Sequence, residues 1–248
     1  MSRQISVVLH ESIYSSNVGS VARAMGNMGI TRLVLVNPLC EINEDAKKAA
    51  VGCQEILINH VVYGSWQDFY RTEGEGLRIA FTARPGKLRP SRDAEELFQD
   101  IGKDENLKNT HVYLIFGRED SGLSTDDIEF CHQTCTLKTY GEYTSLNLSH
   151  AVMLGLYVVS KNLTVAPDSN LQALPTQALY YPAEDLREWL TTLGFDISAK
   201  RINAYKVLNR LILRNQPEQK ELKILKSVLK QTIRKLKERN LIVQTPTD

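Results

Sequence analysis

Three short segments hold the side chains that could do chemistry. The first is Asn17-Val-Gly-Ser-Val-Ala-Arg23, soon after an apolar run. Asn17 can cap a helix there, Gly19 lets another backbone come close, and Arg23 lies one to two turns on, so the three can border one cleft. Taken alone, an arginine on an amphipathic helix is usually a solvated surface cation. The second segment is Leu114-Ile-Phe-Gly-Arg-Glu-Asp-Ser-Gly-Leu-Ser124, an apolar strand entering a polar loop between Gly117 and Gly122. Gly117 permits a backbone conformation that other residues resist, and a small ligand can lie against bare main chain. Arg118 and Glu119 project from that loop, although a strand-to-helix turn capped by Ser124 explains the same residues. The third runs from Glu142 to Tyr157, a hydroxyl-rich turn feeding a helix with Leu148, Val152 and Leu156 on its apolar face. Helix N-termini offer unpaired N–H groups, and Ser145 and Asn147 add side-chain groups at that end. Capping by Thr144 or Ser145 is the plainer alternative.

The elements that must position these segments alternate. Strands are expected at Ile5–His10, Arg32–Val36, Ile56–Val62, Leu77–Thr82, His111–Phe116 and Thr134–Lys138. Several are continuous apolar runs, as strands covered on both faces should be. Helices are expected at Ser16–Met28, Ser65–Tyr70, Ser91–Ile101, Ser124–Cys131 and Ser145–Asn162, the first of them stopped by Gly29. The pattern predicts an α/β fold, a parallel sheet of about six strands with helices on both faces. The resulting division is a domain over 1–163, a Pro-containing polar linker over 164–182 and a helical extension over 183–248. In the extension, Leu222, Leu225, Leu229, Ile233 and Leu236 step by three and four, beside a basic stripe of Lys223, Lys226, Lys230, Arg234 and Lys237. That stripe reads either as an RNA contact or as the solvated face of a packing helix.

Composition narrows the classes. The chain has 248 residues, 42% hydrophobic and 24% charged, as an ordinary globular protein does. Its net charge of +1 hides an asymmetry: residues 198–240 carry 13 basic and 3 acidic side chains, against 17 and 26 elsewhere. An acidic body with a basic tail points towards a polyanion. No dinucleotide-binding glycine motif, phosphate-binding P-loop, nucleophile elbow or H-E-x-x-H occurs. No apolar run is long enough to span a membrane, and the start lacks signal-peptide character. Cys40, Cys53, Cys131 and Cys135 have no framework spacing, which makes a reducing cytoplasm the default. Cys131, His132 and Cys135 lack a fourth ligand, so buried thiols are expected and no metal.

The three segments together resemble the SPOUT (α/β-knot) methyltransferases, specifically the SpoU-like tRNA/rRNA ribose 2′-O-methyltransferases. Their Asn-x-Gly-x-x-x-Arg motif reads here as Asn17, Gly19 and Arg23. The Phe-Gly-x-Glu-x-x-Gly-Leu motif reads as Phe116, Gly117, Glu119, Gly122 and Leu123. The Ser-Leu-Asn-Leu-Ser-x-Ala motif reads as Ser145 to Ser149 and Ala151, and the likeness spans about residues 4–162. The resemblance implies a C-terminal deep trefoil knot, S-adenosyl-L-methionine as cofactor, and a homodimer whose active sites draw on both subunits. It places the cofactor at Thr82, Ala83, Arg84, Phe116, Gly117, Leu137, Thr144, Ser145, Leu146 and Asn147. Arg23 falls at the ribose, where orientation and phosphate binding suit a side chain that does not readily deprotonate. Ser145 and Asn147 would order cofactor and hydroxyl, Glu119 would hold Arg23 or its own loop, and Asn17 completes the catalytic set.

The stretch Arg210–Leu225 resembles the C-terminal extension of bacterial enzymes that methylate the tRNA anticodon loop at nucleotide 32. tRNA is therefore the expected partner, with Lys223, Lys226, Lys230 and Arg234 meeting phosphates. Ribosomal RNA is the alternative substrate, and a catalytically silent RNA-binding dimer the alternative class.

Overall fold

The computed structural model describes residues 3–73, 75–84, 91–163, 180–198, 203–215 and 217–244, with side chains as far as Glu238. They form two compact units, one within residues 1–176 and one within 177–248. Most of the expected linker, 164–179, lies outside the described residues.

The first unit is built on seven strands: β1 (Ile5–His10), β2 (Arg32–Val36), β3 (Val61–Tyr63), β4 (Leu77–Phe81), β5 (Arg92–Asp93), β6 (Val112–Phe116) and β7 (Gln133–Thr136). They pair in the order β3-β2-β1-β6-β4-β7-β5, every pairing parallel. Seven helices accompany them: α1 (Ser15–Asn27), α2 (Glu44–Ala49), α3 (Gln54–Ile58), α4 (Trp66–Glu73), α5 (Ala94–Lys103), α6 (Thr125–Ile128) and α7 (Leu148–Asn162). β1, β4 and β6 are buried at every position, as continuous apolar runs require. On one face, Val7, Leu9, Ile79 and Leu114 pack with side chains of α1, α5 and α7. On the other, Val8, Val34, Ala80 and Ile115 pack with Trp66 and Phe69 of α4.

Two glycines fix α1. Gly29 ends it at φ +69°, while Ile30 N–H returns to Met25 O at 3.0 Å. A Cβ on Gly19 would lie 2.1 Å from Ala46 O, so α1 and α2 can touch there only without a side chain. The expected close backbone approach at Gly19 is therefore present, but it is made to α2. Val18, Val21 and Met25 are fully buried beside it, each contributing about 1.5–3 kcal/mol through removal from water.

One expected strand begins as a helix. Within Ile56–Val62, residues up to Ile58 belong to α3 and only Val61 and Val62 to a strand. Gly52 at φ +78° turns the chain, α3 buries Ile56 and Leu57, and Ile58 is left 75% exposed. An apolar run so short does not distinguish a strand from one helical turn. β5 and α2 were not legible at all, being too short or too polar to show a period.

The second unit contains α8 (Ala183–Thr192), α9 (Ala204–Arg214) and α10 (Gln219–Gln244). α9 starts at Ala204 because Asn203 caps it, accepting from Lys206 N–H at 2.9 Å. Leu186, Leu190, Tyr205 and Leu229 form its core, with Trp189, Leu208, Ile212 and Leu225 against them. The expected apolar stripe of α10 is thus the packed face.

Candidate active site

The carboxyl ends of β4, β6 and β7 open onto a cavity of about 520 Å³. Ligands in open parallel sheets sit at such ends, and small-molecule sites run from about 300 to 1,000 Å³. Three strand exits make its walls. Phe81 and Phe116, stacked with centroids 4.6 Å apart, lie at the ends of β4 and β6. Thr82 continues the ladder through its N–H to Cys135 O at 3.0 Å, and its Oγ1 accepts from Arg84 N–H at 3.1 Å. Leu137, Thr144, Ser145 and Leu146 close the cavity from the segment between β7 and α7.

The loop after β6 is folded on itself. Gly122, at φ +71°, donates N–H to Arg118 O at 2.9 Å. A Cβ on Gly117 would stand 2.3 Å from Gly122 C and Leu123 N. Gly117 is thus required by backbone crowding rather than by an unusual φ, which corrects the sequence-based reason for it. Arg118 donates to both carboxylate oxygens of Asp120 at 3.0 Å, and Ser121 Oγ donates to Asp120 Oδ1 at 2.8 Å. These bonds, Arg118 first, hold the Asp120 carboxyl down to about 2. Arg118 Nη1 also reaches Glu11 Oε2 at 3.4 Å, and Glu11 Oε1 accepts from Asn37 Nδ2 at 3.0 Å. Glu11 and Asn37 have φ +52° and +46°, a strained pair at the carboxyl edge of the sheet that no sequence pattern announced. Beyond the loop, Ser124 and Asp127 form a capping box on α6, as the sequence suggested.

Glu119 turns away from the loop to hold α1. Its Oε2 accepts from Ile13 N–H at 3.0 Å, and its Oε1 accepts from Tyr14 N–H at 3.3 Å and Asn17 Nδ2 at 3.2 Å. Of the two tasks expected for Glu119, holding Arg23 is not the one seen; it fastens the start of α1 to its own loop. Asn17 does not cap α1, which already begins at Ser15. It bridges Glu119 and Asn147, whose Nδ2 donates to Asn17 Oδ1 at 3.3 Å. Asn147, rather than Thr144 or Ser145, caps α7 by accepting from Ser149 N–H at 2.9 Å.

Nine of the ten expected cofactor residues therefore line the cavity: Thr82, Ala83, Arg84, Phe116, Gly117, Leu137, Thr144, Ser145 and Leu146. Asn147 stands behind them as a cap. Gly19 does not border the cavity, because it is buried against α2. Arg23 is exposed on α1, outside the lining, and makes no hydrogen bond or ion pair with another described residue. Sequence reasoning missed Phe81, Ile128 and Thr134 as lining residues. The end of the apolar run at Phe81 was the available signal.

The remaining groups have structural work. Cys131 and Cys135 are buried and neither is in a disulfide. His132 accepts at Nδ1 from Arg78 N–H at 2.9 Å, and burial beside the Arg78 cation holds its pKa well below the ordinary value. In α10, Lys223, Lys230 and Arg234 are exposed, with Arg234 Nε 3.8 Å from Glu238. Lys226 Nζ sits 4.5 Å over the Tyr180 ring, and Lys237 pairs with Glu188 at 2.6 Å. Among the described residues no helix is long and apolar enough to cross a membrane.

Residues 4–157 match the SpoU rRNA Methylase family. The chain is 33% identical over 238 residues to a tRNA (cytidine/uridine-2'-O-)-methyltransferase TrmJ of Citrobacter koseri, covering 92% of this chain and 96% of that one. Among solved structures it is similar to TrmJ from Z. mobilis ZM4, with TM-score 0.69, 25% identity, and 93% and 98% of the two chains covered. A likeness of fold alone links it to AviRb from Streptomyces viridochromogenes in complex with AdoMet, at TM-score 0.51, 17% identity, and 65% and 61% coverage.

Proposed function

The chain belongs to the SpoU rRNA Methylase family, and on that premise we propose that it is an S-adenosylmethionine-dependent tRNA (cytidine/uridine) ribose 2′-O-methyltransferase. The observation that carries this reading is the meeting of three sequence-distant motifs, through Glu119, Asn17 and Asn147, behind a cavity of cofactor size. Nucleotide 32 of the anticodon loop is the target, supported by the likeness of Arg210–Leu225 to the extension of enzymes that act there.

The cavity fits the cofactor in volume and chemistry. Phe81, Phe116, Leu137 and Leu146 offer an apolar lining, while Thr82, Thr144 and Ser145 bring hydroxyls to the same space. Gly117, which lacks a side chain, lets the loop beside the cavity fold back onto it, since a Cβ there would meet the Gly122 and Leu123 backbone. Bound there, S-adenosylmethionine supplies a methyl group already activated on a sulfonium. What remains for the protein is to place a ribose hydroxyl in line and ease loss of its proton. Ser145, on the cavity wall, is placed to hold that hydroxyl, while Asn147 and Glu119 fix the two loops on either side. Arg23 orients the RNA through the adjacent phosphate, as a permanently charged side chain can.

A homodimer accounts for the position of Arg23. Outside its own chain's lining, it serves the cavity of a second copy, so each site is completed by two chains. Tyr157 at 56% exposure and Leu154 at 42% on α7, with Tyr14 before α1, supply apolar surface for such a contact. The trefoil knot implied by the resemblance belongs to the same reading, supported by β6 lying between β1 and β4. The exposed cations of α10 add sequence-independent attraction for RNA, and the protein acts in the cytoplasm.

Mapping ribose 2′-O-methyl groups in total RNA from cells with and without this gene tests the assignment. The expected result is loss of a methyl group at tRNA nucleotide 32 alone. Loss from ribosomal RNA instead would overturn the substrate, and no loss from any RNA would overturn the activity.

A further inference from the structure

Resting on that assignment, we propose that Tyr140 and Tyr143 form a stacking platform for unpaired bases of the substrate RNA beside the target nucleotide. At 90% and 91% exposure they are the two most exposed large hydrophobic side chains among the described residues. A single exposed aromatic ring is ordinary, but two lie here within one short segment, Leu137 to Leu146. Both ends of that segment line the cavity, at Leu137 and at Thr144, Ser145 and Leu146. Tyr143 immediately precedes Thr144, and Tyr140 is three residues from Leu137, so both stand within about 10 Å of chain from the rim.

The chemistry of the occupant follows from what must enter. A ribose hydroxyl can reach the cavity only with its base and flanking nucleotides attached, and these must lie across the rim. Unpaired bases are recognised through their faces by aromatic side chains, independent of base identity. Lys138 Nζ lies 5.4 Å over the Tyr140 ring, a cation–π contact that limits where the ring can swing. Lys138 and Glu142 bring opposite charges to the same stretch, so it has little net attraction for phosphate. The platform therefore binds by stacking, whereas the cations of α10 bind by charge, and the two differ in their response to salt.

The test is steady-state methyl transfer by the full-length protein to an unmodified tRNA transcript with a pyrimidine at nucleotide 32. Tyr140→Ala, Tyr143→Ala and the corresponding Phe variants are compared with wild type across a range of salt concentrations. Each alanine variant should raise KM for tRNA about 5- to 100-fold, from base–aromatic stacking energies. Cofactor affinity should stay within about twofold of wild type, and the phenylalanine variants should recover normal KM. The slope of log KM against log salt should be unchanged in the alanine variants. It should be shallower in a Lys226→Glu/Lys230→Glu/Arg234→Glu comparison protein. Unchanged KM in the alanine variants, an equal loss in the phenylalanine variants, or conversion to monomers by sedimentation would overturn the platform, the last by assigning the rings to a subunit interface. A wild-type protein that transfers no methyl group to RNA overturns the function itself, a result distinct from a working enzyme indifferent to its tyrosines.

Discussion

Asn147 donates from Nδ2 to Oδ1 of Asn17 at 3.3 Å, joining two residues 130 positions apart in the chain. The direction of that bond is fixed locally. Asn147 Oδ1 already accepts from Ser149 N–H and Oγ, which leaves only its amide nitrogen to face Asn17. Asn17 Nδ2 then meets Glu119, so one amide donates to the loop after β6 and accepts from the start of α7. The first motif is therefore a connector between the other two.

This connection makes Asn17 sensitive to charge as well as to size. Asn17→Ala removes two hydrogen bonds and should lower kcat/KM about tenfold, with a stability loss of about 1–2 kcal/mol. Asn17→Asp keeps the shape but sets a carboxylate against Glu119, and should be more damaging than alanine. Transfer assays and urea midpoints on both variants check the order. Equal activity in the two would mean that the bond to Glu119 does not matter.

Gly117 and Gly19 are both close-approach glycines with different expected consequences. An added methyl at Gly117 meets backbone at 2.3 Å, so Gly117→Ala should open the loop and weaken cofactor binding at least tenfold, read by calorimetry. An added methyl at Gly19 meets Ala46 O at 2.1 Å, away from the cavity. Gly19→Ala should cost about 1–3 kcal/mol of stability while the fraction that remains folded binds cofactor normally.

Arg23 provides a test of the shared site. Arg23→Ala alone should keep cofactor affinity and lose transfer. Mixed with the Gly117→Ala protein under conditions that exchange subunits, it should regain activity, because one cavity of a mixed dimer then has intact parts from both chains. Absence of recovery despite demonstrated exchange would place Arg23 at its own chain's cavity.

Three histidines whose pKa values the fold lowers predict acid sensitivity. His111 is pushed down to about 4 by burial and then by the Arg32 cation. His132 is lowered by burial and by Arg78, and His10 by burial, partly offset by Asp127. The unfolded chain takes up these protons near pH 6.5, before the folded chain does, so stability is full above that pH. It should fall as pH drops from about 6.5 towards 4, by about 3 kcal/mol from His111 alone. Urea midpoints across that range should show the decline, and a flat profile would contradict it.

The sheet and the cavity were legible to different degrees. β1, β4 and β6 announce themselves because burial on both faces leaves long unbroken apolar runs. α3 did not, since Ile56 and Leu57 look alike on a strand and on one helical turn. Lining residues could be carried over from motif likeness, and nine of them meet in one cavity. Their reasons could not. Gly117 was expected for its φ and is required by the Gly122–Leu123 backbone. Asn17 was expected as a cap and is a bridge. Such errors arise because spacing fixes which residues share an element, while hydrogen bonds between distant elements depend on the packed fold. The strained Glu11 and Asn37 are the extreme case, visible only as backbone angles.

Transfer of a methyl group to one ribose hydroxyl can be read in a single pair of reactions. Purified protein is given S-adenosylmethionine labelled in its methyl group and a tRNA with a pyrimidine at nucleotide 32. A parallel reaction uses the same tRNA with a 2′-deoxyribose at that nucleotide. Label should enter the first RNA, to about one methyl per molecule, and stay out of the second. Equal labelling of both, or labelling of neither, would contradict the account.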